Sequence, residues 1–147
     1  MRILIDADGC PVVDIACEIA RDTSTQCIII CDTSHFFSKQ GARTITVSKG
    51  ADSVDFALVN MLKQGDIVIT QDYGLAAMCL AREAIPISQD GMVYNNDNID
   101  ALLLARHNAK KIRNAGGRLK GVPKRTQSQN EMFRQKLKNI IENSNNE

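Results

Sequence analysis

The sequence predicts an α/β domain whose mainly parallel sheet is sandwiched between helices. Three observations predict it. Short apolar runs rich in β-branched residues recur along the chain, each the length of a buried strand. Segments with apolar residues at helical spacing lie between them. Each of those segments is long enough for a crossover between parallel neighbours, which implies three layers with helices on both faces.

Residues 2–7 form the first strand, centred on Ile3, Leu4 and Ile5. Gly9 allows a sharp exit, and Pro11 suits the first turn of a helix, where its missing N–H costs nothing. Residues 11–21 follow as that helix, with Val12, Ile15, Ala16, Ile19 and Ala20 on one face. Residues 26–31 form the second strand. Residues 32–42 form a polar loop whose Phe36 and Phe37 are expected to be pinned to the core. Residues 43–48 are the third strand, and 49–55 lead into a helix through Phe56, Leu58 and Leu62. Residues 66–72 are the fourth strand, 73–81 a helix, and 85–88 a short strand. Residues 91–94 read as a small strand or hairpin limb. Residues 98–115 are a long helix with Ile99, Leu102, Leu103, Ala105 and Ile112 on its apolar face, ended by Gly116-Gly117. A basic loop over 118–127 precedes a capping box, Ser128 to Glu131, and a last helix running to about Glu142 before a fraying end. The expected organisation is one domain over 1–115, with 116–147 a basic loop and helix packed on it or extending it.

The chain of 147 residues, 44% hydrophobic, suits one compact domain. No run approaches the ~18 consecutive apolar residues of a membrane span. Asp6 and Asp8 interrupt the first apolar run, which reads as a strand and not as a leader peptide. A cytoplasmic protein is expected. The five cysteines are odd in number and sit in apolar surroundings, as reduced thiols do. Cys27 and Cys31 fall on one strand, about 13 Å apart at ~3.3 Å per residue, too far for one zinc ion. Charge is uneven. Residues 1–109 hold 8 basic against 14 acidic side chains, a balance of −6; residues 110–147 hold 10 against 3, a balance of +7. The basic end is either a solvated helix packing on an acidic body or a contact for a phosphate backbone.

The acids fall at comparable places. Asp6 and Asp8 follow the first strand, Asp52 and Asp55 the third, and Asp72 the fourth. In a parallel sheet these positions share the carboxyl edge, where ligands bind. Each acid has a local explanation too: Asp52 and Asp72 as helix caps, Asp55 answering the helix dipole, Asp8 shaping a turn. Asp6 is harder to explain that way, because a carboxylate ending an apolar strand is costly without a partner. Converging carboxylates raise one another's pKa or bind a cation. No histidine joins them in sequence, and oxygen ligands alone select a hard ion such as Mg²⁺ or Mn²⁺. Such ions activate water and stabilise a leaving oxygen in phosphodiester cleavage. The basic end would hold the polyanion, through Arg118, Lys120, Lys124 and Arg125.

The chain resembles the bacterial YaiI/YqxD family, whose members are similar to PIN-like nuclease domains. The matching pieces are DADGCPV at 6–12, KGADSVD at 49–55, GDIVITQDYGLAA at 65–77, the 91–94 segment, Asn98-Ile99 and the 116–129 region. The resemblance covers nearly the whole chain. It implies a PIN-like fold, metal ligation by Asp6 and Asp72, and a looser fit for Asp52 and Asp55. Asp8 fits the family and not the wider PIN pattern, and the central-helix glutamate of many PIN domains has no clear counterpart here. A Mg²⁺- or Mn²⁺-dependent nuclease acting on RNA in preference to DNA is thus the function expected, and PIN-like domains often pair as homodimers. Three rivals stand beside it. One is a non-catalytic RNA- or partner-binding module. Another is a haloacid-dehalogenase-like phosphohydrolase with Asp6 as nucleophile, although Cys10 stands where Thr or Ser is usual. The third is thiolate chemistry at Cys10, activated by its helix N-terminus.

Overall fold

The computed structural model describes residues 1–117 and 123–146. Strands β1 (Arg2–Asp6), β2 (Gln26–Asp32), β3 (Ala42–Val47), β4 (Ile67–Ile69) and β5 (Ile85–Ile87) form one sheet. Its order is β3-β2-β1-β4-β5, and every neighbouring pair is parallel. Helices α1 (Val13–Asp22), α2 (Ser53–Met61), α3 (Tyr73–Ala81), α4 (Asn96–Asn114) and α5 (Gln127–Asn145) surround it.

Strand alternation divides the core in two. Ile3, Ile5, Cys27, Ile29, Cys31, Ile67 and Ile69 face α1 and α5. Leu4, Ile28, Ile30 and Val68 face α2 and α3. Burial on both faces is why these strands read as unbroken apolar runs. In α5, Phe133, Leu137 and Ile141 recur every four residues and are fully buried in the same cluster as α1, so the C-terminal helix is part of the main core. Gly91 lets the loop before α4 press against α5. Its φ is +88°, and a Cβ there would meet the Met132 carbonyl oxygen at 2.9 Å.

The topology fixes where a ligand fits. From β1 the chain moves outward to β2 and β3, then crosses back to build β4 and β5 on the other side. The reversal lies between β1 and β4, and at such a switch point a crevice opens beyond the carboxyl ends of the strands.

Several elements depart from expectation. β4 is shorter than 66–72. Asp66 precedes it as a buried ion pair, Arg2 Nη2 to Asp66 Oδ2 at 2.5 Å, and Thr70 to Asp72 leave the ladder to build the crevice. Residues 91–94 make a single antiparallel bridge, Val93 to Ile87. The capping box of α5 is Thr126 with Gln129, not Ser128 with Glu131, and the helix continues to Asn145. Both pairs satisfy the same rule, and the earlier one adds backbone hydrogen bonds to a helix already held by its core stripe. Phe37 packs against the core, whereas Phe36 is 90% exposed. In α4, Ile99 is buried against Tyr94 and Ala76, while Ala105 and Ile112 are exposed. That helix packs on α3 and leaves the sheet's edge behind, so its distal half has no core to meet.

Candidate active site

Asp6 closes β1 beside the switch point and is held by Thr70, whose hydroxyl donates to Asp6 Oδ2 at 2.8 Å. The same hydroxyl accepts the Asp72 N–H at 3.0 Å. Thr70 is itself anchored, since the buried Tyr94 hydroxyl donates to its carbonyl at 3.2 Å. One threonine therefore ties the end of β1 to the start of α3. Asp72 is the N-cap of α3, its Oδ1 accepting the Leu75 N–H at 3.1 Å. Gly74 leaves room for that carboxylate, because a Cβ there would lie 3.2 Å from Asp72 Oδ1.

Asp52 occupies the N-cap position of α2 without capping it. Its side chain makes no cap hydrogen bond, and its backbone is left-handed at φ 62°. Such a conformation is tolerated by aspartate and is found where the surroundings hold it. Asp55 lies in the first turn of the same helix. Both line a cleft of about 620 Å³ together with Asp6, Asp8, Thr70, Asp72 and Arg106. The sheet edge thus brings together all five predicted acids.

Their electrostatics follow. Burial raises the Asp6 carboxyl above its ordinary value, the Thr70 hydrogen bond opposes it, and the charges of Asp72 and Asp8 add to the rise. Burial and then the charges of Asp72, Asp6 and Asp52 push Asp55 up to about 6. The acids share the cleft without closing into one tight shell. Among the described residues, the group whose ligand atoms all lie within 4.8 Å of one another is Asp8, Asp32 and His35. A histidine therefore does approach the acids, contrary to the sequence expectation. The loop after β2 folds His35 toward the end of β1, a long-range contact that sequence proximity does not reveal.

The basic residues separate. Lys124 is exposed. Arg125 is committed to the protein: it donates to Asp90 Oδ1 at 2.7 Å, to the Gln89 carbonyl at 2.6 Å and to Asn130 Oδ1 at 2.7 Å. Arg118 and Lys120 lie outside the described residues. Cys10 does not carry an activated thiol, because burial pushes it up to about 11. Desolvation there opposes the helix terminus and speaks against the thiolate reading.

Sequence reasoning missed Thr70, Asp32, His35 and Arg106. Asp32 had a signal, since it ends an apolar strand as Asp6 does. Arg106 had one as well: with Lys110 and Arg113 it recurs at helical spacing on one face of α4. Its Nη1 comes to 3.9 Å from Asp72 Oδ1. His35 had none.

Fold and site together define a three-layer α/β domain with an acidic cleft at the switch point of a parallel sheet. A family model described as "Uncharacterized BCR, YaiI/YqxD family" matches residues 4–143, and the chain belongs to that family. It is 50% identical to a UPF0178 protein of Exiguobacterium sibiricum, over 96% of each chain. It is 43% identical to one of Clostridium acetobutylicum, over 96% of this chain and 97% of the relative. It is 45% identical to one of Natranaerobius thermophilus, over 96% of both. No solved structure gives a significant match. No described helix is long and apolar enough to cross a membrane.

Proposed function

We propose that this protein is a Mg²⁺- or Mn²⁺-dependent nuclease hydrolysing phosphodiester bonds, of RNA before DNA. The observation that carries the reading is the meeting of Asp6, Asp55 and Asp72 at the switch-point cleft, where burial and mutual repulsion raise the carboxyls of Asp6 and Asp55. A cation relieves that repulsion. The donor set fits a hard ion, being carboxylate oxygen alone at these three positions. Mg²⁺, which keeps several of its waters, needs only one or two such carboxylates. Bound there, the ion would lower the pKa of a water and offset charge on the phosphate. The resemblance to PIN-like domains supports the same assignment for Asp6 and Asp72.

The chain's own groups do the rest. Thr70 fixes the Asp6 carboxylate against the start of α3. Asp55, pushed up to about 6 by burial and its acidic neighbours, is the carboxylate whose ionisation a bound cation would favour. Arg106 stands at the cleft with its guanidinium largely exposed, placed to clamp a phosphate. Lys110 and Arg113 continue that face along α4, so a strand leaving the cleft meets positive charge.

Cleavage of single-stranded RNA and DNA in Mg²⁺ and in Mn²⁺ tests the reading. Wild type is expected to cut, and Asp72→Asn to slow cutting by about 100-fold or more, the scale of losing one preorganised electrostatic group. Undiminished cutting by Asp72→Asn contradicts the assignment. RNA binding by wild type without cleavage makes the domain a binding module.

A further inference from the structure

We propose that the outward face of α4 docks a second copy of this chain, the two α4 helices packing antiparallel about a twofold axis. One side of α4 packs on the α3 cluster through Ile99, Leu102 and Leu103. The side turned away carries Ala101, Leu104, Ala105 and Ile112, all exposed, with Asn108 as the polar member of the stripe. Leu104 is 60% and Ile112 45% exposed. At ~3.6 residues per turn these apolar positions fall within an arc of about 100° and extend over about three turns. Gly116 and Gly117 fold the chain back onto Ile112, where a Cβ at 117 would lie 2.7 Å from Ile112 Cγ2, and nearly half of Ile112 still faces solvent. Apolar side chains exposed singly mean little, whereas a stripe of them marks a contact surface.

The charges around the stripe choose the occupant. Asp97 and Asp100 stand at its head and Lys111 at its foot, all exposed. Among the described residues, none of the three makes an ion pair within the chain. Acids at a helix start and bases at its end also answer the helix dipole, but the apolar side chains between them do not. Asp100 and Lys111 are about three turns apart, so they share one flank of the stripe. A twofold axis perpendicular to two antiparallel helices sets each flank against the same flank of the other copy. Lys111 of each copy then meets Asp97 and Asp100 of the other, and symmetry makes the pairing twice. A parallel pair would set acids level with acids and bases level with bases.

Leu104 lies near the middle of α4 (Asn96–Asn114) and so near the axis, where it meets its own copy. The short side chains of Ala101 and Ala105 let the two helices approach closely. Arg106, Lys110 and Arg113 lie around the other side of α4, so pairing leaves them and the acidic cleft open. The interface is independent of the chemistry in that cleft.

Sedimentation equilibrium of the full chain, in chelator, is the test. A reversible monomer–dimer equilibrium is expected, with a Kd below about 1 mM, the weak end that suits one pair of helices. Leu104→Glu is expected to raise Kd by about 30-fold or more, because it buries a charge at the centre in both copies. Thermal melts establish that each variant is folded, and Leu104→Ser replaces Leu104→Glu if that chain is not. Lys111→Asp, and separately Asp97→Lys with Asp100→Lys, are each expected to weaken self-association by about tenfold. An equimolar mixture of those two variants is expected to associate as wild type does, since each supplies the charge the other lacks. A monomer at every concentration up to about 1 mM overturns the proposal. So does a dimer that folded Leu104→Glu leaves intact, which would lie on another face. A mixture that associates no better than either charge variant alone overturns the antiparallel pairing.

Discussion

Asp55 makes the crowding of the cleft measurable. Its carboxyl is raised from an ordinary 3.8 to about 6 by burial and by Asp72, Asp6 and Asp52. The folded state therefore binds this proton more tightly than the unfolded chain does. Its contribution to stability is complete below about pH 4 and is lost as pH rises through about 6. In metal-free protein, wild type is expected to lose stability relative to Asp55→Asn between pH 4 and 7, as read from paired thermal melts. A constant difference across that window would mean Asp55 is not perturbed. Among single residues, Asp6 was legible in the sequence because an apolar strand ending in a carboxylate is physically expensive. His35 was not, since a polar loop has no period and its path is set by the strands it leaves and joins.

At the scale of elements, α3 gives Asp72 a structural role beside the chemical one proposed for it. Asp72 caps the helix through one oxygen and faces the cleft. The two roles separate by substitution. Asn caps as well as Asp, whereas Ala costs about 1 kcal/mol. Asp72→Asn is expected to melt within a few tenths of a kcal/mol of wild type. Asp72→Ala should be about 1 kcal/mol less stable, and both should lose activity. Equal stability of the two would remove the cap from the account. Helix α3 was legible to the residue because the Gly65–Asp66 turn, the apolar run and the cap all agree. The start of α5 was not, because Thr126 and Ser128 offer overlapping capping boxes and local chemistry does not choose between them. In α4 the apolar spacing was real, but which positions are covered depends on α3. The end of the stripe projects past it, with Ala105 exposed and Ile112 45% exposed.

For the whole molecule, strand order turns scattered acids into a site. The sequence placed Asp6, Asp8, Asp52, Asp55 and Asp72 after strands. The reversal of order between β1 and β4 brings those strand ends around one crevice. The charge asymmetry read from the chain also acquires a geometry. Arg125 is spent on Asp90 and Asn130, whereas Arg106 lines the cleft and Lys110 and Arg113 follow it at helical spacing on α4. Replacing Arg106, Lys110 and Arg113 by Ala is expected to lower the slope of log binding constant against log salt for single-stranded RNA by about 2, from ~0.7 per phosphate contact. An unchanged slope would place the nucleic acid elsewhere. The central claim is that Asp6 and Asp72 hold a divalent ion. It is tested most directly by Mn²⁺ calorimetry of the full chain. Binding is expected there, weakened by about tenfold or more, on the order of 1.4 kcal/mol, when Asp6→Asn and Asp72→Asn are added. Absence of Mn²⁺ binding, or equal binding with both carboxylates removed, would contradict it.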